Sequence, residues 1–200
     1  SSDLGWKEWT FKDTDRESDQ IAAALRDLEF TSGSKAAIIA EGRPEWITGE
    51  FGVLKAAGTS VPLSIKLSYE EIAFRVNHSD SKGFFISSNT IQKLISAWPY
   101  IENPPIIFYL DEEDAHFKKA VKELKLERGK TIFTWEDLLE RGQRLLKEEP
   151  AMISDIEPTI DENDVVNICY TSGTTGNPKG IMLTHLNYWS NANDGVELFD

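Results

Sequence analysis

The chain alternates short apolar runs with longer stretches in which apolar residues recur every three or four positions. The short runs are typical of buried strands, and the longer stretches have the period of amphipathic helices. Repeated alternation of strand and helix is the pattern of a parallel sheet, because each helix carries the chain back before the next strand begins. The sequence therefore predicts an α/β fold with a largely parallel sheet flanked by helices, whose strands include residues 35–40, 59–63, 83–86, 105–110 and 165–170.

Polar residues mark the expected starts of several helices. Thr14 with Glu17, and Ser68 with Glu71, have the spacing of a capping box, in which hydroxyl and carboxylate each satisfy a free backbone N–H. Single threonines are expected to cap two later helices, at Thr134 and Thr184.

A further helix is expected to begin at Pro44, because a first-turn proline loses no helical hydrogen bond. Ile47, Phe51 and Leu54 recur at helical spacing and are expected to line one face of this helix. Gly58 is the candidate C-cap, since glycine readily adopts the left-handed conformation that ends many helices.

Residues 170–180, which read YTSGTTGNPKG, suit neither a helix nor a strand. Glycine lets a backbone pass close to a ligand, and Ser and Thr hydroxyls can donate to phosphate oxygens or ligate a hard cation. Lys179 adds a mobile positive charge. Because the stretch lies between the apolar runs 165–170 and 181–183, a flexible linker is a poorer interpretation than a loop that cradles a polyphosphate at the carboxyl end of a strand.

This loop differs from the P-loop of nucleotide triphosphatases. That motif requires G-x-x-x-x-G-K-[ST] followed by a helix. Here Pro178 stands where the second glycine is required, and Gly180 stands where the motif has Ser or Thr. An apolar run follows in place of the helix, so the phosphate loop is of another type.

Residues 170–185, YTSGTTGNPKGIMLTH, resemble the signature loop of the adenylate-forming superfamily, which contains acyl- and aryl-CoA synthetases, peptide-synthetase adenylation domains and luciferases. Other segments resemble the same superfamily, namely residues 43–46, residues 52–63 (GVLKAAGTSVPL), Ser79 and the acidic residues 161–164. Residues 135–142, WEDLLERG, resemble an element of long-chain fatty acyl-CoA synthetases. On residues alone they are equally well one more amphipathic helix.

The resemblance implies an ATP-dependent ligase. A carboxylic acid, with long-chain fatty acids favoured, attacks the α-phosphorus of Mg-ATP to give an acyl-adenylate, and coenzyme A then displaces AMP. The loop would hold the β- and γ-phosphates, and Lys179 would offset the charge that grows on pyrophosphate. Thr171 is the expected Mg²⁺ ligand. The full set of expected phosphate-binding residues is Thr171, Ser172, Gly173, Thr174, Thr175, Gly176 and Lys179.

The resemblance also implies that residues 1–200 form the N-terminal portion of the AMP-binding domain in the acyl-CoA synthetase-like fold. The rest of that domain and the mobile C-terminal domain are expected elsewhere in a longer protein. No catalytic residue is expected within this fragment, which alone should make no thioester. Alternatives within the superfamily are an aryl-CoA ligase or a peptide-synthetase adenylation domain. An alternative of another class is a non-enzymatic nucleotide-binding module.

Charge and composition restrict the partners. The net charge is −13, from 21 basic and 34 acidic residues, which argues against nucleic acid because a phosphate backbone needs a basic face. No apolar run is long enough to span a membrane. Cys169 is the only cysteine, so it can form no intramolecular disulfide, and it is expected to be a buried structural thiol. A cytoplasmic location is expected, with peripheral membrane association and oligomeric state left open.

The three histidines show no catalytic pattern. Neither His78 nor His116 has a neighbouring Asp or Cys that suggests a triad or a metal site. His185 follows the expected cap Thr184, so a packing or capping role is favoured over that of a catalytic base.

Overall fold

The fold is that of a computed structural model, which describes residues 8–171 and 178–197. In this part of the chain seven strands form one sheet in the order β5-β4-β3-β1-β2-β6-β7. The strands are β1 Lys35–Ile39, β2 Thr59–Pro62, β3 Ser81–Ile86, β4 Ile106–Tyr109, β5 Ile132–Thr134, β6 Val165–Thr171 and β7 Lys179–Thr184. Neighbouring strands are parallel except β6 and β7, which form an antiparallel pair. The predicted fold class is confirmed.

Helices cover both faces of the sheet. They are α1 Phe11–Asp27, α2 Pro44–Lys55, α3 Tyr69–Ser79, α4 Ile91–Ala97, α5 Ala115–Leu124, α6 Trp135–Glu148 and α7 His185–Glu197. One buried cluster joins the sheet to α3, α4 and α5, and a second joins it to α1, α2 and α6. Strand residues alternate between the clusters, as Ala37 and Ile39 do with Ala36 and Ile38. Within the described residues, no helix is long and apolar enough to cross a bilayer.

The predicted caps at Ser68, Thr134 and Thr184 are confirmed. The hydroxyl of each residue accepts a hydrogen bond from a backbone N–H in the first turn of its helix. The predicted cap at Thr14 is wrong, because α1 begins one turn earlier, where Thr10 and Asp13 form a complete capping box. Thr14 lies inside the helix and accepts a hydrogen bond from the Trp9 indole at 3.1 Å.

The apolar face predicted for α2 is not the face that the helix buries. Ile47 and Phe51 are 48% and 45% exposed, whereas the helix buries Thr48, Gly49, Gly52 and Val53. Small residues occupy this face because α1 packs closely against it. A Cβ at position 52 would lie 2.4 Å from the side chain of Ile21 in α1. Gly58 was expected to take the left-handed conformation at the end of α2. Ala57, the residue before it, takes that conformation instead.

Candidate functional site

The end of β6 and the start of β7 bracket the predicted phosphate loop. Thr171 and Lys179 are directly paired across this hairpin, at the edge of the sheet where the parallel strands end. Paired residues of antiparallel strands have Cα atoms about 4.5–5.5 Å apart, so a hydroxyl and an ammonium project from neighbouring positions. Five predicted site residues lie outside the described residues: Ser172, Gly173, Thr174, Thr175 and Gly176.

Both described site residues are accessible. Thr171 and Lys179 are exposed. Within residues 8–171 and 178–197, the Thr171 hydroxyl makes no hydrogen bond and the Lys179 ammonium has no carboxylate within 4.0 Å. The hydroxyl and the ammonium can therefore bind phosphate oxygens, which form strong hydrogen bonds with charged donors.

Gly180 allows the hairpin to close. It pairs with Tyr170, and a Cβ at this position would lie 2.9 Å from the Ile168 side chain and 3.5 Å from the Tyr170 ring. A side chain here would push β7 away from β6. The glycine therefore maintains the register that sets Lys179 opposite Thr171.

A second polar group at the same edge of the sheet is internally satisfied. The Arg43 guanidinium donates to Asp111 at 2.7 Å, to Glu45 at 2.8 Å and to the Leu110 carbonyl at 3.0 Å. Burial alone would lower the pKa of Arg43, but hydrogen bonds to Glu45 and Asp111 outweigh it and raise that pKa. Since the donors of Arg43 are committed to its own neighbours, this network ties β1, α2 and β4 together and offers no anion site.

A small cavity lies between α2, β6 and α7, and no pattern in the sequence predicted it. Its volume is about 160 Å³, roughly half of the smallest volume usual for a ligand pocket, and Glu50, Asn167 and Tyr188 are among the residues that line it. Burial raises the pKa of Glu50, although Asn167 donates to its carboxylate at 3.3 Å. Within the described residues, Asn167 Oδ1 has no hydrogen-bond partner. The cavity has room for an ordered water molecule, which would donate a hydrogen bond to this oxygen.

Cys169 is exposed, so the prediction of a buried thiol is wrong. β6 pairs with β2 at Asn167, and its last residues extend past β2. Cys169 therefore lies in the part of β6 that pairs only with β7 among the described residues. The apolar run in the sequence could not reveal that the end of this strand has a neighbouring strand on one side only.

The histidines occupy three different settings. His185 is half-buried at the start of α7, where its N–H donates to the Asp164 carbonyl at 3.2 Å, in keeping with a capping or packing role. His116 is exposed on α5. His78 lies against Tyr170, the residue before Thr171, with its Nδ1 2.9 Å from the phenol oxygen. Sequence reasoning missed this contact because the two residues are 92 positions apart.

Comparison with known proteins gives a family and a fold. The sequence matches the model of a family described as AMP-binding enzyme over residues 2–198. It is 32% identical over 171 residues to 4-hydroxybutyrate–CoA ligase 2 of Metallosphaera sedula, covering 86% of this chain and 28% of that enzyme. It is 30% identical over 196 residues to the peroxisomal long chain acyl-CoA synthetase 7 of Arabidopsis thaliana, covering 97% of this chain and 26% of that enzyme.

A solved structure has the same fold. The A-PCP didomain of carboxylic acid reductase from Segniliparus rugosus, determined in complex with AMP, aligns with a TM-score of 0.74 at 18% identity. The alignment covers 92% of this chain and 26% of the didomain chain. The chain thus spans less than a third of the length of each of these relatives.

Proposed function

The chain belongs to the AMP-binding enzyme family, and we propose on that basis that the full-length protein activates a carboxylic acid with ATP and transfers the acyl group to coenzyme A. The observation that carries this proposal is the pairing of Thr171 with Lys179, both exposed and unpartnered among the described residues, at the carboxyl end of a strand. Ligands of parallel sheets bind at this edge.

The proposed reaction has two steps. A carboxylate oxygen attacks the α-phosphorus of ATP, the bond to the β-phosphate oxygen breaks, and pyrophosphate leaves. The thiolate sulfur of coenzyme A then attacks the acyl carbon, the acyl–phosphate bond breaks, and AMP leaves. Lys179 acts in the first step, because its ammonium stabilises negative charge as it develops on pyrophosphate. The hydroxyls and N–H groups of residues 171–176 orient the phosphates.

Mg²⁺ is proposed to accompany the nucleotide. The Thr171 hydroxyl is exposed and free among the described residues, and hydroxyl oxygen is a suitable ligand for a hard cation. No group of three or more His, Cys, Asp or Glu side chains in the described part of the chain could hold a metal. A single protein ligand suits Mg²⁺, because this ion keeps several of its water ligands and also binds the substrate phosphates. Bound there, it would offset the negative charge of the phosphates.

A long-chain fatty acid is the proposed acid substrate. The similarity to long chain acyl-CoA synthetase 7 and the resemblance of residues 135–142 support this choice. In the structure those residues form the first half of α6, which buries Trp135, Leu138 and Gly142 against α1 and the sheet. They are packing residues remote from the loop, so their support rests on resemblance and not on contact with a substrate.

A panel of acids tests the proposal. The full-length protein would be incubated with ATP, Mg²⁺ and coenzyme A, and with short-chain, hydroxy-, aryl and long-chain carboxylic acids in turn. We expect acyl-CoA and AMP to form in equal amounts, fastest with a long-chain acid. Preference for an aryl acid would identify an aryl-CoA ligase, and acyl transfer to a carrier-protein thiol would favour a peptide-synthetase domain. ATP binding with no turnover of any acid would favour the non-enzymatic module.

Location stays a prediction. A cytoplasmic enzyme that meets fatty acids at a membrane surface is consistent with the proposed substrate. Fractionation of cells that express the full-length protein would test it, with the activity expected in the cytoplasmic fraction or loosely bound to membranes.

A further inference from the structure

The last residues of β6 need support from outside the sheet. β6 pairs with β2 through Ser60 and Asn167, whereas residues 168–171 pair only with β7 in the described part of the chain. A strand tip with one partner has fewer hydrogen bonds to fix it than a strand within a sheet. This tip carries Thr171, and its pairing with β7 sets the place of Lys179.

Helix α3 supplies a polar contact to this tip. His78 Nδ1 lies 2.9 Å from the hydroxyl of Tyr170, and the two rings meet edge to face with centroids 5.7 Å apart. The Tyr170 hydroxyl is also 3.4 Å from the carbonyl oxygen of Arg75, whose guanidinium lies 5.4 Å from the centre of the Tyr170 ring. Tyr170 therefore meets the last two turns of α3 through one hydrogen bond, a weaker polar contact and a cation–π contact.

The α3 side of this contact is itself held in place. The His78 ring stacks on Phe74, one turn earlier, with centroids 5.4 Å apart and planes inclined by 23°. Arg75 is buried, and its Nη1 donates to the Glu71 carbonyl at 2.9 Å. Contacts within α3 therefore orient both partners of Tyr170, although the His78 side chain is exposed.

The hydrogen bond can persist in either protonation state of the imidazole. The Nδ1 atom of a neutral His78 can accept a hydrogen bond from the Tyr170 hydroxyl. A protonated His78 donates instead, and the hydroxyl then donates to the Arg75 carbonyl. Burial raises the pKa of Tyr170, so the phenol keeps its proton near neutral pH.

We propose that His78 and Tyr170, here named the α3 latch, position the β6–β7 hairpin so that Thr171 and Lys179 meet the phosphates of ATP. His78 is thus a positioning residue for the nucleotide site, acting through Tyr170. The inference rests on the proposed function, because it deepens the role of the same loop.

Packing alone would not require this bond. Phenylalanine at position 170 would fill the same space against Ile168 and α3, yet would leave the His78 nitrogen without its partner. The bond instead fixes where Tyr170 lies along α3, and Tyr170 directly precedes Thr171 and pairs with Gly180, beside Lys179.

The test combines nucleotide binding and kinetics in the full-length protein. Tyr170→Phe and His78→Ala should each weaken Mg-ATP binding, measured by calorimetry, about 3- to 10-fold, the value of one hydrogen bond. They should lower kcat/KM for ATP by the same factor and leave the KM for the acid and for coenzyme A unchanged. His78→Asn, whose amide can replace Nδ1, should recover most of the loss. His116→Ala, at an exposed histidine of α5, is the matched control and should bind ATP normally.

A double variant distinguishes positioning from general stability. In a Lys179→Ala background, Tyr170→Phe should cause a smaller further loss of ATP affinity than it does in the wild-type background, because one of the two groups that the latch positions is gone. Normal ATP affinity in both latch variants would overturn the inference, as would full additivity with Lys179→Ala or a lowered melting temperature as the sole effect. ATP binding that follows these expectations in a protein that adenylates no acid would refute the proposed function and uphold the latch.

Discussion

Glu50 is a carboxylate in surroundings that disfavour its charge. Burial raises its pKa above the ordinary value of 4.5, and the Asn167 amide compensates only in part. The folded state therefore binds this proton more tightly than the unfolded state. Its contribution to stability is fully present below pH 4.5 and is lost as the pH rises through the raised pKa.

Glu50→Gln should raise the unfolding midpoint at pH 7.5, because a neutral amide avoids the cost of burying a charge and can donate to Asn167 Oδ1. The advantage should shrink as the pH falls towards 4.5, where wild-type Glu50 is protonated. Glu102→Gln, at an exposed carboxylate, removes the same net charge and serves as control. Thermal melts of the three proteins between pH 5 and 8 provide the measurement. An advantage of Glu50→Gln that grew on acidification would contradict this account.

Two glycines allow α1 to pack closely between α2 and α6. At Gly52 a Cβ would lie 2.4 Å from the Ile21 side chain. At Gly142 a Cβ would lie 1.8 Å from the carbonyl oxygen of Gln20. Backbone atoms cannot move aside as the end of a side chain can, so the contact at Gly142 is the less tolerant of the two.

Gly142→Ala should destabilise the protein by about 1–3 kcal/mol, because α6 must move away from α1, even though alanine favours a helix. Gly195→Ala is a matched control on α7, since no described atom outside its own helix lies within 4 Å of a Cβ there. That change should be neutral or stabilise by up to about 1 kcal/mol. Urea denaturation compares the two variants with wild type. Equal midpoints for Gly142→Ala and Gly195→Ala would show that α6 and α1 are not in close contact.

The sequence was most informative where local signals and the global fold agreed. The apolar runs, Pro44 and the capping box at Ser68 located strands and helices correctly, because each depends on neighbours close in sequence. The spacing of apolar residues in α2 did not reveal which face is buried, because small residues such as Gly52 meet α1, a helix that is distant in the sequence.

The prediction of the candidate site came from local sequence alone. Its loop composition pointed to phosphate binding, and the structure pairs Thr171 with Lys179 at the two ends of that loop. The role of Ser172, Gly173, Thr174, Thr175 and Gly176 stays a prediction. The contact of His78 with Tyr170 could not be predicted, because it depends on how α3 lies across the end of β6, and no spacing in the sequence encodes that.

The whole molecule has a proposed phosphate-binding edge, and the chain spans only 26–28% of the length of the two CoA ligases compared with it. The 200-residue chain by itself is therefore expected to form no acyl-CoA. The measurement is thioester formation by the purified chain, with the full-length protein as positive control. Steady production of acyl-CoA by the chain alone, in a preparation free of host ligases, would show that residues 1–200 hold a complete active site.

The apolar surface of the β6–β7 hairpin and α7 agrees with that expectation. Met182 and Trp189 are each 65% exposed, and Ile181 and Tyr188 are about half exposed. Ile181 and Met182 are neighbours on β7 and point to opposite faces, so both faces of this strand carry exposed apolar side chains in the described part of the chain. Exposed apolar surface is typical of a region that packs against other protein.

Carboxylate-dependent exchange of labelled pyrophosphate into ATP tests the central claim most directly, because it reports the first step without coenzyme A. The full-length protein should exchange only when a suitable acid is present. Lys179→Ala should slow exchange about 10²- to 10³-fold with an unchanged melting temperature, whereas His116→Ala should exchange at the wild-type rate. Exchange by Lys179→Ala at the wild-type rate would contradict the assignment of the loop between Thr171 and Lys179 as the phosphate site.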